Sequence, residues 1–173
     1  RFEPRDDPAY RYRREVDYVS GAALMIRKDT FERVGGFDPR YAPAYYEDVD
    51  LGFAVRQLGL RVYYEPASTV IHCEGISAGT DLDRGMKQHQ RPNQAKFVAK
   101  WKAELAAQPP AGTPLERAVR WRRRGRVLVV DAMIPEPTRD SGSVRMCAIL
   151  DLLDRQGWST ALLPDDGHAS PHA

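Results

Sequence analysis

Two stretches of the chain carry regularly spaced apolar residues, and a run rich in Ala, Pro and Gly at 106–114 separates them. In the first stretch, residues 19–26 predict a buried strand. Its small residues Ser20, Gly21, Ala22 and Ala23 require something to approach the backbone closely. Asp29 and Glu32 form a capping-box-like pair that starts a short helix, and Gly35-Gly36 stops it. Phe37-Asp38-Pro39 predicts a turn, and residues 40–46 a loop rich in Tyr and Pro. A helix follows over about residues 49–58, acidic at its N-terminus and with Gly59 at its C′ position. Residues 61–64 predict a short strand with Val62 pointing inward. Pro66 ends it, and residues 69–72 are extended again. Residues 90–105 predict a helix with Phe97, Trp101 and Leu105 at i, i+4 and i+8 on one face.

The second stretch predicts strand, loop, helix, strand. RVLVVDA, ending near Asp131, is a continuous apolar run of the kind a buried parallel strand shows. Residues 144–156 form an amphipathic helix with Met146, Ile149, Leu150, Leu152 and Leu153 apolar, closed by Gly157. Residues 159–163 give the next strand. This is the opening β-α-β of a Rossmann-like sheet, and two strands with one helix leave an edge and a face uncovered. The polar residues after Pro164 predict a frayed tail.

A chain of 173 residues holds one domain or pieces of two. Apolar residues at 42% suffice for a core, and no apolar run is long enough to cross a bilayer. The net charge of +2 argues against a nucleic-acid binder driven by bulk charge. Six arginines do cluster in residues 117–126, but Trp121 is the one aromatic among them. A solvated linker, or contact with anionic lipid, accounts for that segment better than nucleic acid does. Cys73 and Cys147 are too few for a disulfide framework. They read as packing residues in a reducing, cytoplasmic compartment, at the inner face of the membrane if the arginines meet lipid. Residues 1–14 carry no apolar segment of the signal-peptide kind, and the chain does not open with Met. The expectation is a piece of a larger protein.

The candidate chemistry gathers where the Tyr-rich loop enters the acidic helix. Glu47, Asp48 and Asp50 put three carboxylates within four residues. Complementarity to the helix N-terminus explains acids there by itself, and composition alone favours that reading. The functional alternative is a general base beside a binding cleft. Tyr41, Tyr45 and Tyr46 are either packing residues or the lining for a sugar ring. His72 ends an extended run and precedes Glu74, Gly75 and Ser77 in a flexible loop, which suits a metal or a phosphate. A structural histidine is the commoner case. His89 and Asn93 are spaced i, i+4 and read as a solvated helix face.

Taken together in order and spacing, these features resemble the C-terminal half of the inverting family 2 glycosyltransferases. The matching features are VSGAALMIR, the Gly35-Gly36-Phe37-Asp38 turn, Glu47-Asp48-Val49-Asp50-Leu51, Arg56, Gly59, and His72 with Gly75 and Ser77. His89, Asn93, Phe97, Lys100 and Trp101 look like that family's closing helix. The likeness covers about residues 15–105, with the flavour of enzymes that build rhamnan, galactan and O-antigen polysaccharides. It implies an α/β chain whose residues 1–105 are the C-terminal part of a GT-A (nucleotide-diphospho-sugar transferase) fold. It also implies a nucleotide-diphospho-sugar donor and a carbohydrate or lipid-linked glycan acceptor, with no nucleic acid involved. By position, Asp48 would deprotonate the acceptor hydroxyl. Glu47 would hold an acceptor hydroxyl or orient the loop, and Tyr46 would line the acceptor. His72 would complete a divalent metal site (Mn²⁺ or Mg²⁺) on the donor diphosphate. The family's Asp-x-Asp metal anchor and its nucleotide-binding half have no counterpart in this chain, so the isolated chain is expected to be inactive.

Residues 126–173 resemble the first strand and helix of a GT-B glycosyltransferase of the family 4 type. The likeness rests on RVLVVDAMIPEPTRDSGSVRM, with Asp140-Ser141-Gly142-Ser143 in the loop and Arg145 near the helix start. Any Rossmann-like domain would give a similar pattern. Residues 106–125 then form a linker with a basic segment, and the parent is a tandem enzyme. The alternative for the whole is a non-catalytic carbohydrate-binding or scaffolding module that kept the fold, against which the intact Glu47-Asp48 pair argues.

Overall fold

The computed structural model describes residues 7–72 and 85–165. The chain divides into two compact units, Arg1–Gln108 and Pro109–Ala173, both of mixed α/β composition with one small sheet each among the described residues. The expected roles of Cys73 and of the loop carrying Glu74, Gly75 and Ser77 lie outside the described residues, as does the tail from residue 166. No helix among the described residues is long and apolar enough to cross a membrane.

In the first unit, β1 (Arg14–Val16) pairs antiparallel with β2 (Val62–Tyr64), Val16 opposite Val62. Arginines lie against tyrosines on this sheet: Arg14 sits 4.2 Å from the Tyr64 ring centre and Arg13 4.6 Å from that of Tyr63. Among the described residues, α1 (Lys28–Arg33) and α2 (Glu47–Gln57) lie between β1 and β2, and α3 (Gln90–Lys100) and α4 (Lys102–Ala106) come after β2. Pro92 is tolerated because it falls in the first turn of α3, where its missing N–H would have no helical partner. The expected single helix over residues 90–105 breaks at Trp101, yet the apolar stripe survives the break. Phe97 and Trp101 are buried with Tyr41 and Phe53, and Leu105 packs against them. Phe53 meets Phe97 edge-on at 5.1 Å and lies 5.3 Å from Trp101, contacts each contributing roughly 0.5–1.5 kcal/mol beyond burial.

Neither the strand expected at 19–26 nor the Asp29 cap forms. Residues 19–26 are not a buried strand: Ser20 caps a single 3-10 turn at Gly21–Ala23, and Met25 is almost wholly exposed. The turn is favoured because the Ser20 hydroxyl accepts from the Ala22 amide and the Gly21 amide donates to Asp48. Both amides are thereby withdrawn from any ladder. Asp29 is not the cap of α1. Arg27 holds that position without a side-chain bond, and Asp29 sits in the first turn, ion-paired to Arg27 at 2.7 Å. That pair is exposed, and it holds the Asp29 carboxyl below its ordinary range chiefly through the Arg27 hydrogen bond. Residues 69–72 form no ladder with the other described residues, and Val70 and Ile71 face solvent.

In the second unit, α5 (Leu115–Ala118) precedes β3 (Arg126–Asp131), which pairs parallel with β4 (Ser159–Pro164) across α6 (Ser141–Arg155). Asp140 caps α6, its carboxylate accepting from the Ser143 amide at 2.7 Å and from the Ser143 hydroxyl at 3.0 Å. The β-α-β order matches expectation, but burial of β3 does not. Its residues alternate, with Leu128 and Val130 exposed beside Leu163 of β4. A strand with one sheet neighbour and one covering helix can bury only one face.

Candidate active site

Helix α2 is held along two faces, and the two faces explain where Glu47 and Asp48 sit. On one face, Asp48, Gly52 and Arg56 recur every four residues and so stand in line. Segment 17–21 runs along that line. Arg56 donates to Asp17 at 2.7 Å, forming a mostly buried ion pair. At Gly52 an added Cβ would meet Tyr18 Cβ at 2.7 Å and the Asp17 carbonyl oxygen at 2.8 Å, so no side chain fits. At the top of the line the Gly21 amide donates to Asp48 Oδ2 at 2.8 Å, while Asp48 Oδ1 accepts from the Val49 amide at 2.8 Å. The close approach expected at Gly21 is therefore made by the Asp48 side chain, whose Cβ lies 3.4 Å from where a Gly21 Cβ would stand.

On the other face, Asp50 is buried at the centre of a polar knot. It accepts from the Tyr41 hydroxyl at 3.0 Å, the Trp101 indole N–H at 2.7 Å and the Lys100 ammonium at 2.8 Å. Lys100 also reaches Asp38 at 3.0 Å. Burial pushes the Asp38 carboxyl up, but the Arg40 amide and the Lys100 ammonium outweigh burial and hold it below its ordinary range. Burial, reinforced by the hydrogen bond to Asp50, pushes the Tyr41 phenol well above its ordinary value. Of the two readings open for Tyr41, packing is the one the structure supports: it is a core residue and does not line a sugar.

Tyr45 and Tyr46, just before the pair, both have left-handed backbone, at φ 73° and 75°. For aromatic residues this costs on the order of 1–3 kcal/mol each, a strain that persists only where the surroundings enforce it. Tyr46 packs its ring 5.4 Å from Phe97, and burial raises its phenol's pKa. Asn93 is not on a solvated face. It is fully buried, and its Nδ2 lies 2.7, 2.8 and 3.2 Å from the carbonyl oxygens of Tyr41, Ala44 and Tyr45.

The two carboxylates at the start of α2 therefore differ. Asp48 is oriented by two amides. Glu47 Oε2 is buried with no hydrogen-bond partner among the described residues. Burial pushes the Glu47 carboxyl above its ordinary value, with the neighbouring Asp48 charge adding to the effect and the amides of Glu47 and Tyr45 opposing it. Such a pair can accept a proton at one carboxylate and a substrate hydroxyl at the other. His72 is exposed, and among the described residues no three His, Cys, Asp or Glu side chains converge as a metal site. Asp17, Gly52, Lys100 and Asn93 were not singled out for these roles from the sequence. The i, i+4, i+8 spacing of Asp48, Gly52 and Arg56 was the available signal for the first two.

No family model and no solved structure matches the chain significantly. Several curated relatives carry glycosyltransferase names. The N-acetylglucosaminyl-diphospho-decaprenol L-rhamnosyltransferase of Mycobacterium tuberculosis is 36% identical over 91 residues, which is 53% of this chain and 27% of the relative. The rhamnosyltransferase WbbL of Escherichia coli K12 is 40% identical over 57 residues, 33% of this chain and 21% of the relative. The O-antigen biosynthesis protein RfbC of Myxococcus xanthus is 36% identical over 63 residues, 36% of this chain and 5% of the relative. The match thus spans about a quarter of the first relative's length and less of the others.

Proposed function

We propose that the protein transfers a sugar from a nucleotide-diphosphate donor to a hydroxyl of a carbohydrate or lipid-linked glycan, with the first unit as the acceptor side of a family 2, GT-A-type transferase. The observation that carries this reading is the unequal carboxylate pair, Asp48 held by two amides beside the unpaired Glu47 Oε2. The names of the relatives support the reaction class.

In this reading Asp48 takes the proton from the acceptor hydroxyl as its oxygen attacks the anomeric carbon. The bond from that carbon to the diphosphate oxygen breaks, and the nucleoside diphosphate leaves with the electron pair. Glu47 accepts a hydrogen bond from the acceptor and fixes its approach, with Tyr46 beside it. One displacement inverts the anomeric configuration. A divalent metal would neutralise charge on the leaving diphosphate, but the described residues offer His72 as a single ligand and no cluster. The proton step does not depend on it. The second unit, read from its β-α-β alone, begins a Rossmann-like GT-B domain.

The anomeric configuration of the first-formed product, read by NMR for the full-length protein with a nucleotide-diphospho-sugar donor, tests the reaction class. The expected product has the configuration opposite to the donor. Retention would exclude a single displacement with Asp48 as base.

A further inference from the structure

We infer that Asn93 is a positioning residue for the Glu47–Asp48 pair: its carboxamide, oriented by Lys96, clamps the left-handed Tyr45–Tyr46 turn that aims the start of α2. The inference rests on the glycosyl-transfer reading above and extends it to residues remote in sequence.

The turn cannot hold itself. Two consecutive aromatic residues at positive φ, where glycine is the usual choice, need an external restraint. Asn93 supplies it from α3. One NH₂ group lies within hydrogen-bond distance of three carbonyl oxygens, those of Tyr41, Ala44 and Tyr45, so at least one of its two hydrogens is shared. Three acceptors drawn to one buried nitrogen fix the path of the loop over residues 41–45. The next carbonyl, that of Tyr46, accepts from the Asp50 amide and opens the helix. Any change at Tyr45–Tyr46 therefore swings both carboxylates.

Lys96 decides which way the amide faces. Its ammonium lies 2.8 Å from Asn93 Oδ1 and 2.7 Å from the Arg40 carbonyl oxygen. Turned over, the amide would set its oxygen against three carbonyls and its NH₂ against an ammonium. Lys96 is itself exposed, so it can be replaced without opening the core.

The test uses the full-length protein with three substitutions: Asn93→Ala, Lys96→Met, and Leu105→Ala as a control that weakens the same core away from the turn. Asn93→Ala is expected to lower kcat by about 10–10²-fold while the donor KM stays within about twofold, since misaimed groups slow the chemistry and leave donor contacts intact. Lys96→Met is expected to lower kcat in the same direction by about threefold. Leu105→Ala is expected to keep its kcat. Amide hydrogen exchange at residues 45–49 is expected to quicken in Asn93→Ala and Lys96→Met and not in Leu105→Ala. If Asn93→Ala does not fold, Lys96→Met carries both readouts. Unchanged kcat or unchanged exchange in the Asn93 and Lys96 variants overturns the inference, and so does an equal loss in Leu105→Ala. Should the wild-type full-length protein transfer no sugar from a nucleotide-diphospho-sugar donor, the glycosyl-transfer reading fails instead, and the exchange data still report on the clamp.

Discussion

Polar groups lie at the centre of the first unit, whereas apolar groups lie on the surface of the second. Asp50 and Asn93 are 3% and 1% exposed, while Leu128, Val130 and Leu163 are each more than half exposed. In the first unit the buried carboxylate of Asp50 and the carboxamide of Asn93 are matched to donors and acceptors, so a loop and two helices are fixed to one another by direction as well as by packing. Non-directional burial alone would not determine which way Glu47 and Asp48 point. The second unit has a regular parallel pair and a well-capped helix, yet one sheet face gains nothing from burial, at about 25 cal/mol for each Å² left in water. Regular secondary structure and a specified site are therefore separate achievements, and only the first unit shows both among the described residues.

The contrast can be broken most strongly at Asp50. Asp50→Ala removes the acceptor of the buried Trp101 indole N–H and Tyr41 hydroxyl and leaves Lys100 paired with Asp38 alone. Losing one partner of a buried pair costs about 3–5 kcal/mol. Denaturant unfolding followed by Trp101 fluorescence should show that loss, with amide exchange in β3 and β4 unchanged. A loss under about 1 kcal/mol would mean the knot is solvated and the contrast overdrawn.

A smaller effect is expected at Gly52→Ala, where the new methyl would press on Tyr18 and the Asp17 carbonyl. Overpacking there should cost about 1–3 kcal/mol and push segment 17–21, with its Gly21 amide, away from Asp48. Slower transfer with a lowered Tm would fit. An unchanged Tm would place the segment elsewhere in solution.

The smallest effect is a gain. The Glu47 carboxyl has a folded pKa raised mainly by burial, so its ionised form opposes folding. The stability tied to Glu47 is fully present below the ordinary carboxyl pKa and is lost as pH rises through the raised one. Glu47→Gln should therefore raise Tm at neutral pH, with the gain closing as the solution is acidified. A gain independent of pH would remove the carboxylate from the explanation. Stability gained by deleting a site residue is the usual sign of strain kept for function.

Much of this was legible in the sequence, unevenly. Period and punctuation located α2, the Phe97–Trp101–Leu105 stripe, β2 and the whole β3-α6-β4 order, because those signals are local. The segment at 19–26 misled because small apolar residues suit a strand, and nothing local reports that Ser20 and Asp48 take its amides. Asn93 misled for the opposite reason. Its neighbours Arg91 and Lys96 are exposed, so the helix face reads as solvated until three carbonyls from a loop about 50 residues away are seen to meet it. Glu47 and Asp48 were legible as a pair, and the resemblance gave them different roles, but no local signal gave the physical difference, which depends on the Gly21 amide supplied from 27 residues upstream.

The unequal pair is most directly tested by the rate of sugar transfer in Asp48→Asn, measured on the full-length protein with donor binding followed in parallel by titration calorimetry. Removing the proposed base while keeping its shape should slow transfer by about 10²–10⁴-fold and leave donor affinity nearly unchanged. A variant that keeps more than about half the wild-type kcat would contradict the assignment of Asp48 as the base and leave the start of α2 a charged helix end.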